Sequence, residues 1–571
     1  MTPDSTASTK SNTLPSAADD ARVESSPANA SPSSSFDARA ASVTMRNTVR
    51  RGWWPDILIF VILTSVAFGL FYPHAVGDLY SDEADYALAS TKGFEANRWD
   101  RSEDPKEPNK LVAGRHYHAP LTVDLIAVAH RFGSADRVIR MPFLLAGAVS
   151  VGMVYLCGLA LFERRREIAV ACSVLVALSP AVVRMSTHAL PWSPIILELL
   201  VLLWCLLEYS VRWQWSWIVG ALAALAALFV TSEMFFVAAP AVVVAAPILL
   251  WPAFRSARDR RQLVAALAIG GALFLATALV IWPSGLTGDC VKMLRHYMQM
   301  RHSESFPVNV GSRVFAVAPK WAYVYWYWND YKPFFLCYTI AVPGLLAVGA
   351  SRSVRIGILP LLSLTAFLLF AAHRAHIIGP EYLAHCLPFL TLLGGLGVYA
   401  VSRLWRPLGF LALALLAVPV ARWSPRVPLP GMDARAQVSR WPGAAAYLAH
   451  QWRIGDKIVV GSQPVSVAHW YLVYQGGIPP LDSQFQTMPV HEPKPAFLAR
   501  LSAGFYRYVG VSNMFEDQVD LDPKTKSILR TWTVVWRSDE HGSGPSRLTL
   551  YRSPDAKAAP NLTPAHSLNR P

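Results

Sequence analysis

The stretch RMPFLLAGAVSVGMVYLCGLALFERRRE, residues 140–167, combines the two features that decide the fold of this chain. Residues 141–162 carry no charge and are long enough for a helix to cross the hydrocarbon core of a bilayer, which is about 30 Å thick. The basic segment ERRRE follows at once, as expected where a span emerges on the cytoplasmic side. The stretch therefore predicts a membrane-spanning helix whose far end faces the cytoplasm.

Composition extends this interpretation to the whole chain. Of the 571 residues, 53% are hydrophobic and 16% are charged, with a mean hydropathy of +0.30, whereas soluble domains carry about 25% charged residues. The net charge of +14 comes with arginines in short loops between apolar runs, a pattern that orients membrane proteins and does not indicate a nucleic-acid partner. The six cysteines are scattered, so they indicate neither a disulfide framework nor a metal site.

Apolar runs recur along the chain and predict about eleven transmembrane helices. Their approximate limits are 57–72, 141–162, 168–183, 192–209, 215–230, 234–252, 263–283, 334–350, 356–372, 382–401 and 408–421. Basic loops alternate with the other connections and place the N-terminus in the cytoplasm, so an odd number of spans leaves the C-terminus outside. The predicted fold class is a polytopic α-helical membrane protein with a small C-terminal α/β domain outside the membrane.

Shifts in composition divide the chain. The predicted segments are a disordered cytoplasmic tail at 1–45, a membrane domain at 46–422 with external loops at 73–140 and 284–333, an external α/β domain at 423–553 and a disordered tail at 554–571. In the α/β domain we expect helices near 442–452 and 523–530, with strands near 457–461, 505–511, 531–537 and 547–552.

The first external loop holds the acidic stretch SDEADYALAS, residues 81–90. A carboxylate within hydrogen-bond reach of a sugar hydroxyl can remove its proton as a new bond forms, which makes Asp82 and Glu83 candidate catalytic groups. The alternative is that these acids favour the N-terminus of a local helix. Farther along the loop, Leu121, Leu125, Ala129 and Phe132 fall on one helical face, which predicts a helix lying along the membrane surface.

The chain resembles the GT-C class of multi-span glycosyltransferases that use polyprenyl-phosphate sugars, which includes the protein O-mannosyltransferases and the lipid A aminoarabinose transferases. The segments that carry the resemblance are DEADYALA (82–89), HAPLTVDLIAVAHRFG (118–133), RMPFLLAGAVSVGMVYLCGLALF (140–162), LSPAVVRMSTHALPWSP (178–194) and EYLAHCLPFL (381–390). Their order relative to the spans, over roughly residues 55–400, matters more than any single motif.

The resemblance implies transfer of a sugar, with inversion, from a polyprenyl-phosphate carrier to a lipid or glycan acceptor at the outer face of a bacterial-type inner membrane. It also implies that Asp82 is the catalytic base and that Glu83 assists or positions. Two residues depart from the family pattern: His118 stands where a lysine is typical, and Trp192 stands where relatives often carry a second acid.

Other polar residues on the predicted external side are candidates for binding the substrate or its phosphate. The substrate-binding candidates are Tyr86, His116, His118, Arg140, Glu233, Arg374, His376, Glu381 and Tyr382. The pair of histidines in HRAH, residues 373–376, leaves a divalent metal open, and no other cofactor is indicated. The expected partners are the lipid-linked donor, the acceptor and membrane lipids.

Two other classes of protein share a multi-span architecture. A lipid or sugar transporter or flippase is the main alternative. Such proteins carry broken helices in paired repeats, and we find no repeat in the sequence. A polysaccharide polymerase or ligase is the other alternative. In that class the large external loop usually comes late in the chain, whereas the acidic loop comes first here.

Overall fold

A computed structural model describes much of the membrane region and most of the C-terminal region. The described residues are 53–79, 81–91, 103–104, 107–111, 121–232, 234–251, 254, 257–281, 308–310, 313–315, 321–322, 325, 352–374, 384–411, 413–414, 440–461, 465–478, 485–487, 495–512, 522–538 and 547–554. The predicted tail at 1–45, most of the predicted tail at 554–571 and the predicted span at 334–350 lie outside these residues.

Between residues 53 and 411, the described part of the chain is mainly helical. The helices are α1 Trp53–Phe71, α2 Ser81–Ser90, α3 Leu121–His130, α4 Asp136–Leu161, α5 Arg166–Ala177, α6 Pro180–Thr187, α7 Trp192–Arg212, α8 Trp215–Thr231, α9 Phe235–Leu250, α10 Ala257–Ile281, α11 Arg352–Arg374 and α12 Leu387–Leu404. Two short antiparallel strand pairs accompany them, β1 Glu103–Asp104 with β2 Glu107–Leu111 and β3 Val308–Val310 with β4 Arg313–Phe315.

Several of these helices match the length of a membrane span. Within the described residues, four are long and apolar enough to cross a bilayer, Trp53–His74, Asp136–Leu161, Trp192–Arg212 and Ala257–Thr277, and the bent pair of α5 and α6 makes up to five. The helices α8, α9 and α12 are apolar but shorter. The prediction of a helical membrane protein is confirmed, while the number of about eleven spans stays a prediction.

The helices pack into a bundle with one continuous apolar core. Helix α4 packs against α5 and α7, α7 packs against α8, and α8 packs against α10. The facing residues are mainly small and aliphatic, and Leu199, Leu200 and Leu203 of α7 are completely buried. Such interdigitated apolar side chains fill a helix–helix interface at close to crystal density.

The predicted continuous span at 168–183 is broken. Helices α5 and α6 meet at an angle of 63° because Pro180 lacks an N–H and its ring clashes with the preceding turn. The residue before it, Ser179, has the extended backbone that a following proline favours, with ψ 118°. The break turns α6 so that the chain after it, at Ala189, reaches the first external loop.

The C-terminal region forms a five-stranded α/β unit. Its helices are α13 Trp441–Gln451, α14 Val465–His469, the π-helix Trp470–Gln475, α15 Pro495–Ser502 and α16 Pro523–Arg530, and its strands are β5 Ile458–Gly461, β6 Phe485–Thr487, β7 Tyr508–Ser512, β8 Thr533–Arg537 and β9 Leu548–Arg552. The strand order is β6-β5-β7-β9-β8. Strand β5 runs parallel to β6 and β7, while β9 runs antiparallel to β7 and β8.

The helices and strands predicted in this region are present. Helix α16 shows how the start of a helix can be recognised in the sequence. The Asp522 side chain accepts hydrogen bonds from the Lys524 and Thr525 N–H groups, at 2.9 and 3.1 Å, and Pro523 occupies the first position of α16. An aspartate cap followed by proline is a strong helix start. The strand β6 and the helices α14 and α15 are additional elements.

A second core joins the first external loop to the α/β unit. From the loop and the start of α4 it contains Leu79, Tyr86, Ile126 and Phe143, and from the α/β unit it contains Trp441, Trp470, Tyr471 and Leu550. Helix α2 lies against α3 and α14 within it. The loop and the α/β unit, more than 300 residues apart in the chain, therefore fold as one body.

The helix predicted in this loop is present as α3, and its position along a membrane surface stays a prediction. The residues of α3 that are buried are Thr122, Val123, Ile126, Ala127 and Ala129, whereas Phe132, just beyond the helix, is 82% exposed. Leu121 and Leu125 are half-buried. The helix is apolar on both sides, so the pattern alone did not specify which side meets the protein.

Candidate active site

The two predicted catalytic acids lie in the first turn of α2, where acids are favoured, but their environments are opposite. Asp82 is exposed. The next residue, Glu83, is completely buried. Successive helical residues point about 100° apart, so one side chain faces outward while the other faces the junction with α4.

Glu83 is paired with Arg140 of α4. The Arg140 Nε donates a 2.8 Å hydrogen bond to Glu83 Oε1, and Nη2 donates a 2.7 Å bond to Oε2. Both side chains are at most 1% exposed. Bidentate geometry of this kind makes a guanidinium–carboxylate pair strong and orients both groups.

The same guanidinium also holds the chain that leads into α2. Arg140 Nη1 donates to the Gly77 carbonyl at 2.9 Å and to the Val76 carbonyl at 3.3 Å, and Nη2 donates to the Asp78 carbonyl at 2.8 Å. Gly77 has a φ of +86°, a conformation that side chains rarely adopt, and this turn helps bring the three consecutive carbonyls to one cation.

A third segment completes the cluster. The Ala189 N–H, just after α6, donates a 2.6 Å hydrogen bond to Glu83 Oε1. Glu83 thus accepts three hydrogen bonds, from α4 and from the connection between α6 and α7. A buried carboxylate with this many donors is compensated for the water that it has lost.

Asp85, the third acid of α2, faces the α/β unit. Burial raises its pKa to about 7, the neighbouring Ser466 hydroxyl lowers that pKa, and the charge of Asp82 adds to the rise. The Ser466 hydroxyl acts on the pKa of Asp85 although its Oγ does not meet the distance and angle of a hydrogen bond. A carboxyl with such a pKa changes charge near neutral pH.

Tyr471 of the π-helix reaches the same region from the α/β unit. Its hydroxyl accepts a hydrogen bond from the Leu79 N–H and donates one of 2.9 Å to Asp136 Oδ2. Gln475 Nε2 donates to Asp136 Oδ1 at 3.0 Å. Asp136 is the first residue of α4, so the α/β unit contacts both the loop and the helix that carries Arg140.

Two of the predicted substrate-binding residues, Tyr86 and Arg140, contact other parts of the protein in this structure. Tyr86 is 2% exposed and belongs to the core shared with the α/β unit. Arg140 is engaged by Glu83 and three carbonyls, as described above. Substrate binding by these two residues stays a prediction, but their contacts are those of groups that hold the loop.

The other predicted binding residues are not brought into this cluster by the described structure. Arg374 is the last residue of α11. The rest lie outside the described residues: His116, His118, Glu233, His376, Glu381 and Tyr382. Their roles remain predictions from the sequence.

Two further polar contacts occur near the predicted external ends of the bundle helices. The Thr231 hydroxyl donates a 2.6 Å hydrogen bond to Glu198 Oε1, which links α8 to α7. Trp192, which stands where an acid was expected from the family pattern, packs against His385 with their rings 4.9 Å apart. Neither pair is joined to the Glu83 cluster by a described contact.

Among the residues that the structure describes, no group of three or more His, Cys, Asp or Glu side chains could hold a metal ion. The second half of the HRAH segment, which includes His376, lies outside those residues. Binding of a divalent metal therefore stays an open possibility from the sequence alone.

The sequence did not indicate Ala189, Asp136 or Tyr471 as parts of the site. Ala189 contributes a backbone N–H to Glu83, which is 106 residues away in the chain. Tyr471 and Asp136 form a hydrogen bond across 335 residues. The signal available for Ala189 was Pro180, because a proline in an apolar run predicts a bend. Tyr471 had no signal of this kind.

Comparison with known proteins places these features in a family context. Residues 117–282 match the family model described as dolichyl-phosphate-mannose-protein mannosyltransferase. The crystal structure of ArnT from Cupriavidus metallidurans bound to undecaprenyl phosphate is similar over 89% of this chain and 99% of its own, with a TM-score of 0.56 and 14% identity. No curated protein matches the sequence.

A second similar structure comes from an archaeon. The apo oligosaccharyltransferase of Archaeoglobus fulgidus is similar over 81% of this chain and 70% of its own, with a TM-score of 0.50 and 11% identity. At these identities the likeness shows the fold. With the family-model match, it confirms the resemblance seen in the sequence: the chain has the membrane fold of the GT-C glycosyltransferases.

Proposed function

We propose that the protein is a membrane glycosyltransferase that moves a sugar from a polyprenyl-phosphate carrier to a lipid or glycan acceptor. The observation that carries the proposal is the division of labour in the first turn of α2. Asp82 is exposed, while Glu83 is buried and held by Arg140. One acid is thus at the surface of the protein, and its buried neighbour fixes the helix that carries it.

Asp82 acts as the general base of this reaction. The acceptor hydroxyl attacks the anomeric carbon of the donor sugar and gives its proton to the Asp82 carboxylate. The bond from the anomeric carbon to the phosphate oxygen breaks as the new bond forms, and the polyprenyl phosphate leaves with the electron pair. Attack on the side opposite the phosphate inverts the anomeric configuration. A positioned base of this kind contributes about 10²- to 10⁴-fold to a rate.

Glu83 and Arg140 position the base in this proposal. Arg140 ties Glu83 and the carbonyls of Val76, Gly77 and Asp78 to α4, so the first turn of α2 has little freedom. Placement matters because a displacement of about 1 Å can lower a rate by about 100-fold. The positive charge of Arg140 is neutralised by Glu83, so the leaving phosphate needs other cations.

The donor class follows from the comparison with ArnT, whose structure contains undecaprenyl phosphate. A carrier of this type is an isoprenoid chain in the bilayer with its phosphate at the surface. The apolar helices of this protein suit such a chain, and His116, His118 and Arg374 are the proposed phosphate ligands. The basic loops support a topology with α2 and the α/β unit at the outer face and the N-terminus in the cytoplasm.

The experiment is a transfer assay with purified protein and a panel of polyprenyl-phosphate sugars, in which release of the lipid phosphate is measured. We expect one donor to be consumed and Asp82→Asn to lower the rate by about 10²- to 10⁴-fold, because the amide cannot accept the proton. An Asp82→Asn protein that inserts normally and keeps the full rate would exclude Asp82 as the base.

Asp85→Asn is the matched control for this substitution. It makes the same chemical change three residues along the same helix, at a side chain that faces the α/β unit. We expect its rate at pH 7 to stay within about twofold of the unsubstituted protein. Accumulation of a sugar in sealed vesicles without any release of lipid phosphate would favour the transporter alternative.

A further inference from the structure

We infer that the α/β unit is part of the catalytic apparatus, because the Tyr471 hydroxyl holds the chain that enters α2 and so acts as a positioning residue for Asp82. This rests on the proposed function of Asp82 as the base. It gives the α/β unit a role in the reaction itself, in addition to any role as a cover or as a contact for the acceptor.

The contacts of Tyr471 are specific. Its hydroxyl accepts from the Leu79 N–H, which is 392 residues away in the chain, and donates to Asp136 Oδ2 at 2.9 Å. Leu79 lies three residues before Asp82. The hydroxyl is thus a bridge between the entry to α2 and the first residue of α4.

Tyr471 and Arg140 together bind four consecutive residues, 76–79. Arg140 takes the carbonyls of Val76, Gly77 and Asp78, and Tyr471 takes the N–H of the next residue, Leu79. Three carbonyls and one N–H of residues 76–79 therefore have partners from α4 and from the α/β unit. A segment held in this way keeps one conformation.

Burial makes this bridge costly to lose. Tyr471 and Leu79 are completely buried. The loss of the hydroxyl leaves the Leu79 N–H without its acceptor, and an orphaned buried donor is destabilising. The Leu79 backbone relaxes to regain a partner, and the start of α2 moves with it.

The local backbone also sets Tyr471 apart. It belongs to the π-helix Trp470–Gln475, in which the Gly476 N–H bonds to the Tyr471 carbonyl at 2.7 Å. Single π-turns occur often at functional sites. Here the turn carries both Tyr471 and Gln475, and both side chains bind Asp136.

The test is Tyr471→Phe in the full-length protein, assayed with the donor that the unsubstituted protein consumes. We expect kcat to fall about tenfold while the KM for the donor stays within about twofold, because the donor contacts are retained and the base is displaced. The rate is normalised to folded protein measured by size-exclusion chromatography.

Tyr474→Phe is the matched control. It removes the same hydroxyl from the same helical turn, at a half-buried ring that stacks on Trp470 with centroids 5.0 Å apart. We expect its kcat to equal that of the unsubstituted protein. A Tyr471→Phe protein with an unchanged kcat per folded molecule, whatever its melting temperature, would overturn the inference.

Asp136→Asn provides a second approach that does not depend on the folding of Tyr471→Phe. It weakens the same bridge from the other end, and we expect a similar fall in kcat. When the two substitutions are combined, the loss should be no larger than that of the worse single variant, since both break one bridge. Losses that multiply would contradict the inference.

The inference and the proposed function can fail separately. If Asp82→Asn keeps the full rate, the proposed function is wrong and the role of Tyr471 falls with it. If Asp82→Asn is inactive while Tyr471→Phe and Asp136→Asn both keep the full kcat, the base is correct and only the role of the α/β unit is wrong.

Discussion

The molecule has two cores, and they are built in different ways. The bundle core is formed by helices that mostly follow one another in the chain, such as α4 with α5 and α7 with α8, and its buried residues are chiefly Leu, Ala and Val. The second core joins α2 and α3 to the α/β unit and is rich in aromatic residues, including Trp441, Trp470 and Tyr508.

The difference teaches where a buried charge can be placed. At the edge of the second core, Glu83 and Arg140 are buried as a pair. Each of the two groups has several hydrogen-bond partners from distant segments of the chain. In the described part of the bundle, the pair of Glu208 and Arg212 sits on one helix, and Arg212 is 20% exposed. The interior pair organises three segments, while the helical pair stays local.

The largest expected effect is at the interior pair. Arg140→Ala leaves the buried Glu83 carboxylate without its guanidinium partner and three part-buried carbonyls without a donor, and we expect it to cost about 3–5 kcal/mol of folding free energy. Thermal unfolding of the purified protein in detergent measures this cost. The matched substitution Arg212→Ala, at the partly exposed pair, should cost no more than about 1 kcal/mol.

The comparison would fail if both variants lost the same stability. The double substitution Glu83→Leu with Arg140→Met sharpens it further, because it removes both charges together. We expect the double variant to recover more than half of the stability that Arg140→Ala loses, since apolar replacements of a buried pair are often neutral. Its transfer activity should stay low, because the start of α2 is no longer held.

An intermediate effect is expected in the bundle, where helices touch closely. A Cβ added at Gly147 of α4 would overlap the side chain of Ser186 of α6, whereas a Cβ at Gly69 of α1 meets no atom within 4 Å. We expect Gly147→Ala to cost about 1–3 kcal/mol through overpacking. Gly69→Ala should be neutral or stabilising by up to about 1 kcal/mol, because alanine favours helices.

The same unfolding measurement compares these two glycine variants. Equal melting temperatures for Gly147→Ala and Gly69→Ala would show that α4 and α6 are not in close contact. Since α6 leads to Ala189, Gly147→Ala should also lower the transfer rate, whereas Gly69→Ala should leave it unchanged.

The smallest expected effect is a pH dependence at the boundary between α2 and the α/β unit. Burial raises the pKa of Asp85 from its ordinary value of 3.8 to about 7. Between about pH 4 and 7 the folded protein keeps a proton that the unfolded chain has released, so stability falls as the pH rises through this range and is level above it.

Asp85→Asn removes this titration. At pH 8 we expect the variant to melt a few °C higher than the unsubstituted protein, and the difference should narrow steadily as the pH falls from 7 toward 4. A constant difference between Asp85→Asn and the unsubstituted protein from pH 5 to 8 would contradict this explanation.

Elements whose signals are local were predictable. The cap Asp522 and Pro523 fix the start of α16, and the apolar run after Arg140 forms α4. The helix α3 was predictable too, but its buried face was not, because residues on both of its sides are apolar and the packing against α2 and α4 decides which side is buried. The break at Pro180 was visible as a residue, while its 63° bend needed the structure.

The sequence by itself determined that the chain is a helical membrane protein, that an α/β unit follows the membrane region, and that two adjacent acids begin the helix of the first loop. Charge, hydropathy and periodicity act over a few turns, so they can be read directly from the residues. Only the tertiary structure decided that Glu83 is held inside while Asp82 is exposed. That choice depends on donors 57 and 106 residues away, Arg140 and the Ala189 N–H, which no local pattern relates to one carboxylate.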